Sequence, residues 1–69
     1  MTEDLKLGLA DGICELRFIR PGRKNAITGA MYAALANGLE HAADDPQVRV
    51  ALLCGSEDTF TAGNDLGDF

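Results

Sequence analysis

One helix's length of sequence lies between two strand-like segments, and this order limits the fold more than any other feature. From residue 28 to 44 the apolar residues Met31, Leu35, Leu39 and Ala42 recur at spacings of four, four and three, forming one stripe on a helix. Thr28 is an acceptable N-cap, and Ala30, Ala33, Ala34, Ala36 and Ala43 supply helix propensity. Asn37-Gly38 weakens the middle by about 1 kcal/mol relative to alanine, yet leaves a smooth surface for close packing. Asp44-Asp45-Pro46 stops the helix, because the proline pushes Asp45 out of helical geometry. The two carboxylates there also sit unfavourably at the negative end of the helix dipole. A helix of this length between strands is a crossover, which predicts that the flanking strands run parallel.

The strands read as follows. Leu5, Leu7 and Leu9 alternate with Lys6 and Gly8, Asp11-Gly12 is a hairpin signal, and alternation resumes from Ile13 to Ile19 through Cys14, Leu16 and Phe18 or their opposite-face partners. Pro21-Gly22 ends the second strand. After the helix, Gln47-Val48-Arg49 leads into Val50-Ala51-Leu52-Leu53-Cys54, apolar on both faces, as suits the centre of a sheet covered on both sides. The expected order is β-β-α-β, with a single helix to cover one sheet face and an apolar face left bare.

Sixty-nine residues make at most one domain, and a chain of that size buries only about 60% of its unfolded surface. No apolar run reaches transmembrane length, and the acidic start Met1-Thr2-Glu3-Asp4 is not a signal peptide, so a cytoplasmic protein without membrane contact is expected. Cys14 and Cys54, each flanked by apolar residues in a strand, are expected as reduced core thiols. Neither has a CxxC partner, and His41 alone cannot complete a zinc site, so no metal is expected. A net charge of −5 argues against nucleic acid as a partner. On this acidic background Arg20, Arg23 and Lys24 fall within five positions. Such a turn is either a contact for a small anion such as a phosphate or simply solvated.

The last ten residues carry the most chemistry. Phe60-Thr61-Ala62-Gly63-Asn64-Asp65-Leu66-Gly67-Asp68-Phe69 follows the apolar strand with two small residues and a Gly-Asn-Asp turn. A strand that empties into a small-residue turn brings backbone N–H groups to a surface without side chains in the way, which suits an oxyanion. Asp65 is expected to cap that turn rather than act as a base. Glu57 and Asp58 read as a solvated loop, His41 as a surface imidazole and Tyr32 as a helix-flank aromatic without assigned chemistry; Ser56 lacks a G-x-S-x-G setting.

With these residues in view, the chain resembles the N-terminal part of the crotonase, or enoyl-CoA hydratase/isomerase, superfamily. Arg20-Pro21 followed by Asn25-Ala26-Ile27 is similar to the family's Arg-Pro…Asn-Ala-Leu turn, and Met31 to Leu39 to its first long helix. Asp45-Pro46-Gln47-Val48-Arg49 is similar to its Asp-Pro-x-Val-Arg segment, and Phe60 to Leu66 to its Phe-x-Ala-Gly-x-Asp-Leu signature. The resemblance runs from about Leu5 to Phe69 and covers the first quarter to third of a typical member. It implies an α/β fold: the N-terminal ββαβ part of a crotonase-like ββα spiral, truncated, with residues 1–69 a fragment of a single domain. It also implies an acyl-CoA thioester as substrate, coenzyme A as part of that substrate with no other cofactor, and assembly into a trimer or hexamer.

Family members polarise the thioester carbonyl with two backbone N–H groups. By resemblance, the first donor is the N–H of Asn64, where the side-chain type is free to vary. Ala62 and Gly63 let the thioester approach, Asp65 and Leu66 continue the substrate-binding turn, and the segment holding Arg23, Lys24 and Ala26 lies beside the CoA nucleotide. Arg23 or Lys24 would meet a phosphate there. The second oxyanion glycine and the acid/base carboxylates belong to later segments in the family, and no residue of 1–69 is assigned to them. The run Ala62 to Leu66 looks most like the isomerase-leaning branch. The alternative is a non-catalytic acyl-CoA-binding or self-assembling module.

Overall fold

Leucine alternation and a two-residue turn build the first half of the sheet. In the computed structural model, which describes residues 2–68, β1 (Leu5–Ala10) and β2 (Ile13–Phe18) pair antiparallel from Leu5↔Phe18 to Ala10↔Ile13. Asp11 and Gly12 join them at φ 54° and 80°, the mirror-image turn whose twist matches that of the strands. A 3-10 turn at Pro21–Arg23 leads to α1 (Gly29–Asp44), and β3 (Val50–Cys54) then runs parallel to β2, from Ile13↔Val50 to Arg17↔Cys54. The predicted α/β order and the parallel crossover are both present. Phe69, the last residue of the terminal motif, lies outside the described residues.

The ends of α1 follow their side chains. Thr28 Oγ1 accepts the Met31 N–H at 3.1 Å, while the Met31 thioether lies 3.5 Å from the Thr28 N–H, where a capping box usually has a carboxylate. Asp45 has left helical geometry at φ −93°, ψ 113°, and its Oδ1 accepts the Gln47 N–H at 2.8 Å. The buried stripe differs from the expected one. Met31, Ala34, Gly38 and Ala42 are buried, Leu35 is half-buried beside them, and Leu39 is exposed. Proximity is the reason: a Cβ on Gly38 would stand 2.7 Å from Leu16 Cδ2 and 3.3 Å from Leu7 Cδ1. The helix lies so near the sheet that small residues occupy its line of contact and the larger leucines sit at the margin.

The core gathers Leu5, Cys14, Leu16 and Phe18 from the sheet with Ile27, Met31, Ala34 and Ala42 from the helical side. Strand order is β1-β2-β3, so β2 is the central strand and the expectation for Val50–Cys54 is corrected. Val50 and Leu52 stand opposite Ile13 and Glu15, on the sheet face away from α1, and are 54% and 46% exposed. Helix α1 packs over β1 and β2, so Leu53 on its own side of the edge strand is left 38% exposed as well. The core reading of Cys54 is corrected with it. Cys54 stands opposite Arg17 in the register, so it lies on the sheet face away from buried Cys14, half-exposed. Both thiols are free.

Candidate functional site

The turn before the helix and the turn at the end of the chain share hydrogen bonds along their length. Ala62 N–H donates to Lys24 O at 3.0 Å, Ile27 N–H to Gly63 O at 2.8 Å, and Asp65 N–H to Ile27 O at 2.9 Å. Asn25, buried to 1% exposure, anchors the other end. Its Oδ1 accepts the Arg20 N–H at 2.8 Å, and its Nδ2 donates to Thr59 O and Phe60 O at 3.1 and 3.2 Å. Thr61 Oγ1 donates to Asn25 O at 2.6 Å and accepts the Gly63 N–H at 3.1 Å. Lys24 and Asn25 adopt left-handed φ of 51° and 57°, which turns the chain so that Ile27 meets Asn64. The segments singled out separately in the sequence, residues 23–26 and 62–66, therefore form one structure.

This bridge orients the Asn64 amide. A trans peptide points its C=O and N–H in opposite directions. The Gly63–Asn64 peptide gives its C=O to Ile27, so its N–H points away from Ile27, and among the described residues no acceptor meets it. Gly63 supports this with φ 93°, a left-handed value that a side chain would strain, and no atom stands within 4 Å of where its Cβ would be. The result is an outward amide beside an open space. Ala62 and Leu66 flank it on the surface, with Leu66 88% exposed.

Asp65 holds the turn from inside. It is 6% exposed, its Oδ1 accepts the Gly67 N–H at 2.9 Å, and its carbonyl accepts the Asp68 N–H at 3.0 Å, as expected of a capping residue. It has a second role that the sequence does not announce. Oδ2 lies 2.7 Å from Arg20 Nη1, which also donates to Ala26 O at 2.9 Å, and 3.8 Å from Arg23 Nη2. Of the cationic turn, Arg20 is thus an internal strut, Arg23 is exposed but leans on Asp65, and Lys24 is exposed. Asp68 likewise reaches back, its Oδ2 accepting the Gly29 N–H at 2.6 Å at the start of α1. No sequence pattern marks either pairing, since the partners are 45 and 39 residues apart.

The Arg20 hydrogen bond holds the Asp65 carboxyl below its ordinary value, helped by the Gly67 N–H and by Arg23, while burial works in the other direction. A depressed carboxylate stabilises the folded state above its unfolded pKa of about 3.9, and that contribution is lost as pH falls toward the folded value. The amide resonances of residues 59–68 should therefore hold constant from about pH 7 to 5 and move together below about pH 4. Asp65→Asn should weaken the turn at neutral pH and remove that acid transition. An unchanged spectrum down to about pH 2 would refute the role given to the pair.

Comparison with known proteins agrees with this architecture. The profile of the family described as enoyl-CoA hydratase/isomerase matches residues 8–69. The human enoyl-CoA delta isomerase 2 is 37% identical over 67 residues, 97% of this chain and 17% of that protein. The 1,2-epoxyphenylacetyl-CoA isomerase of Escherichia coli K12 is 35% identical over 68 residues, 99% of this chain and 26% of that protein. The crystal structure of an enoyl-CoA hydratase/isomerase from Pseudoalteromonas atlantica T6c superposes with a TM-score of 0.91 at 46% identity, over 97% of this chain and 27% of that one. The chain belongs to the enoyl-CoA hydratase/isomerase family. It spans about a sixth to a quarter of the length of these two curated relatives. Among the described residues no helix is long and apolar enough to cross a membrane.

Proposed function

We propose that this chain contributes one oxyanion donor and part of the coenzyme A contact to a site that acts on acyl-CoA thioesters, with movement of the double bond in an enoyl-CoA as the favoured reaction. The observation that carries the reading is the Asn64 N–H, turned outward by the Ile27 bridge beside an unobstructed Gly63. A thioester carbonyl at that N–H becomes more polarised, its α-proton becomes more acidic, and the negative charge that develops on oxygen is held in place. Donors fixed in advance are effective because no dipole must reorganise during the reaction. Arg23 and Lys24, exposed at the far end of the same bonded segment, are the candidates for a CoA phosphate. Ala62, Gly63 and Leu66 form the acyl-facing surface of the turn; Asp65 supports it from inside through Arg20, to which Ala26 also lends its carbonyl.

The isomerase preference draws on the Ala62-Gly63-Asn64-Asp65-Leu66 run and on relatives named as enoyl-CoA delta isomerases. The reading takes coenzyme A as part of the substrate and calls for no separate cofactor. A cytoplasmic homo-oligomer, trimer or hexamer, belongs to the same proposal, and the exposed apolar residues of β3 support it. The test is a turnover assay of the natural protein at its full length. With 3-enoyl-CoA and 2-enoyl-CoA esters, the reading expects double-bond migration without net hydration. Hydration alone would overturn the isomerase preference. Absence of both turnover and thioester binding would overturn the proposal.

A further inference from the structure

The Asn64 turn has a second point of attachment, on α1, which the family signature does not require. Tyr32 Oη donates to Asn64 Oδ1 at 2.5 Å, although the residues are 32 positions apart. We propose that Tyr32 is a positioning residue that sets the direction of the Asn64 N–H; this rests on the oxyanion reading given above. The bridge to Ile27 fixes the peptides on both sides of Asn64 along one direction, through Gly63 O and Asp65 N. The flanks of the turn are held by Thr61 Oγ1 on the Gly63 N–H and by Arg20 on the Asp65 carboxylate, while Gly63 itself, at φ 93° with nothing near its absent Cβ, resists rotation least of any residue type. The Tyr32 bond adds a restraint on the Asn64 side chain, brought from α1.

Ile27, the Thr28 cap and Tyr32 follow one another on a continuous piece of backbone, which makes the attachment rigid. Tyr32 N–H donates to Thr28 O at 3.0 Å, so its ring springs from the first helical turn, on the same stretch of chain as the bridging residue. The same bond also occupies the Asn64 carboxamide. Asparagine side chains readily fold onto nearby backbone groups, and one held by Tyr32 is kept from competing for the donor. The expectation that the side chain at position 64 is free to vary is revised accordingly: the amide is the donor, and the carboxamide helps to aim it. Donor placement of this kind matters because a preorganised site must be held within about 10–20° of its productive geometry.

The experiment uses the natural protein at its full length with an acyl-CoA carrying carbon-13 at the thioester carbonyl. The downfield shift of that carbon on binding reports carbonyl polarisation, which a merely structural change far from the carbonyl does not move. In the unsubstituted protein a downfield shift is expected. Tyr32→Phe should reduce it and lower kcat about five- to tenfold, the equivalent of one hydrogen bond, with KM little changed. Asn64→Ala removes the same bond from the other partner and should give a similar loss, and the double variant should be no worse than either alone. Full polarisation and kcat in both single variants, or additive losses in the double variant, would overturn the role of Tyr32 while leaving the oxyanion reading intact. No downfield shift in the unsubstituted protein would overturn the oxyanion reading, and the inference with it.

Discussion

Asn64→Pro should lower turnover of the natural protein by about 10²- to 10³-fold, the usual effect of deleting one oxyanion donor. Asn64→Ala, by contrast, should lose only about five- to tenfold, the part attributable to the Tyr32 bond. The comparison is informative because proline removes the N–H and alanine keeps it. The bonds that fix the turn use other atoms: Gly63 O and Asp65 N meet Ile27, and the Asp65 carboxylate meets Arg20. None of them depends on the Asn64 N–H. Steady-state kinetics on both variants, with circular dichroism to verify the fold, reads the difference directly. Equal activity of the two variants would mean that the thioester oxygen does not use this amide.

Gly55→Ala should be the most damaging small substitution in the chain, costing about 3 kcal/mol or more of stability. A Cβ at Gly55 would stand 2.5 Å from Phe60 Cα and 2.6 Å from Phe60 O, and nearer still to Thr59 O. All three are backbone atoms, so no rotamer change relieves the contact. Segment 59–60 must move, and Thr59 O and Phe60 O are the acceptors that hold buried Asn25. Displacement would pass from there to Thr61 and the Asn64 turn, so activity should fall with stability. Gly8→Ala is the control, because no atom lies within 4 Å of where its Cβ would stand; its melting point should change little. Thermal denaturation of the two variants separates them, and a Gly55→Ala protein as stable as Gly8→Ala would show that the 55–60 turn does not support the site.

Local signals are readable wherever one residue type determines backbone geometry. Thr28 as cap, Asp45 before Pro46 and the Asp11-Gly12 turn all stand where their chemistry puts them. The helical stripe departs from its expected line because hydrophobicity alone takes no account of size: at Gly38 the sheet is near enough to exclude a methyl group, and Leu39 turns outward. For β3, composition indicates two apolar faces but not neighbours: the register sets Val50 and Leu52 on the face away from α1, and α1 over β1 and β2 leaves Leu53 on the other face partly uncovered. The site is legible as two motifs whose connection is not. Arg20 to Asp65, Asp68 to Gly29 and Tyr32 to Asn64 are side-chain pairings across the fold, with no periodicity to betray them. Asn25 is visible as part of a motif, yet its work as a buried anchor emerges only when Thr59 and Phe60 are set against it.

A crystal structure of the natural protein with a non-hydrolysable acyl-CoA analogue tests the central claim most directly. The thioester oxygen should lie about 2.7–3.1 Å from Asn64 N, on the side of the turn away from Ile27. An ordered analogue whose carbonyl is bound elsewhere, with the Asn64 amide left to solvent, would contradict it.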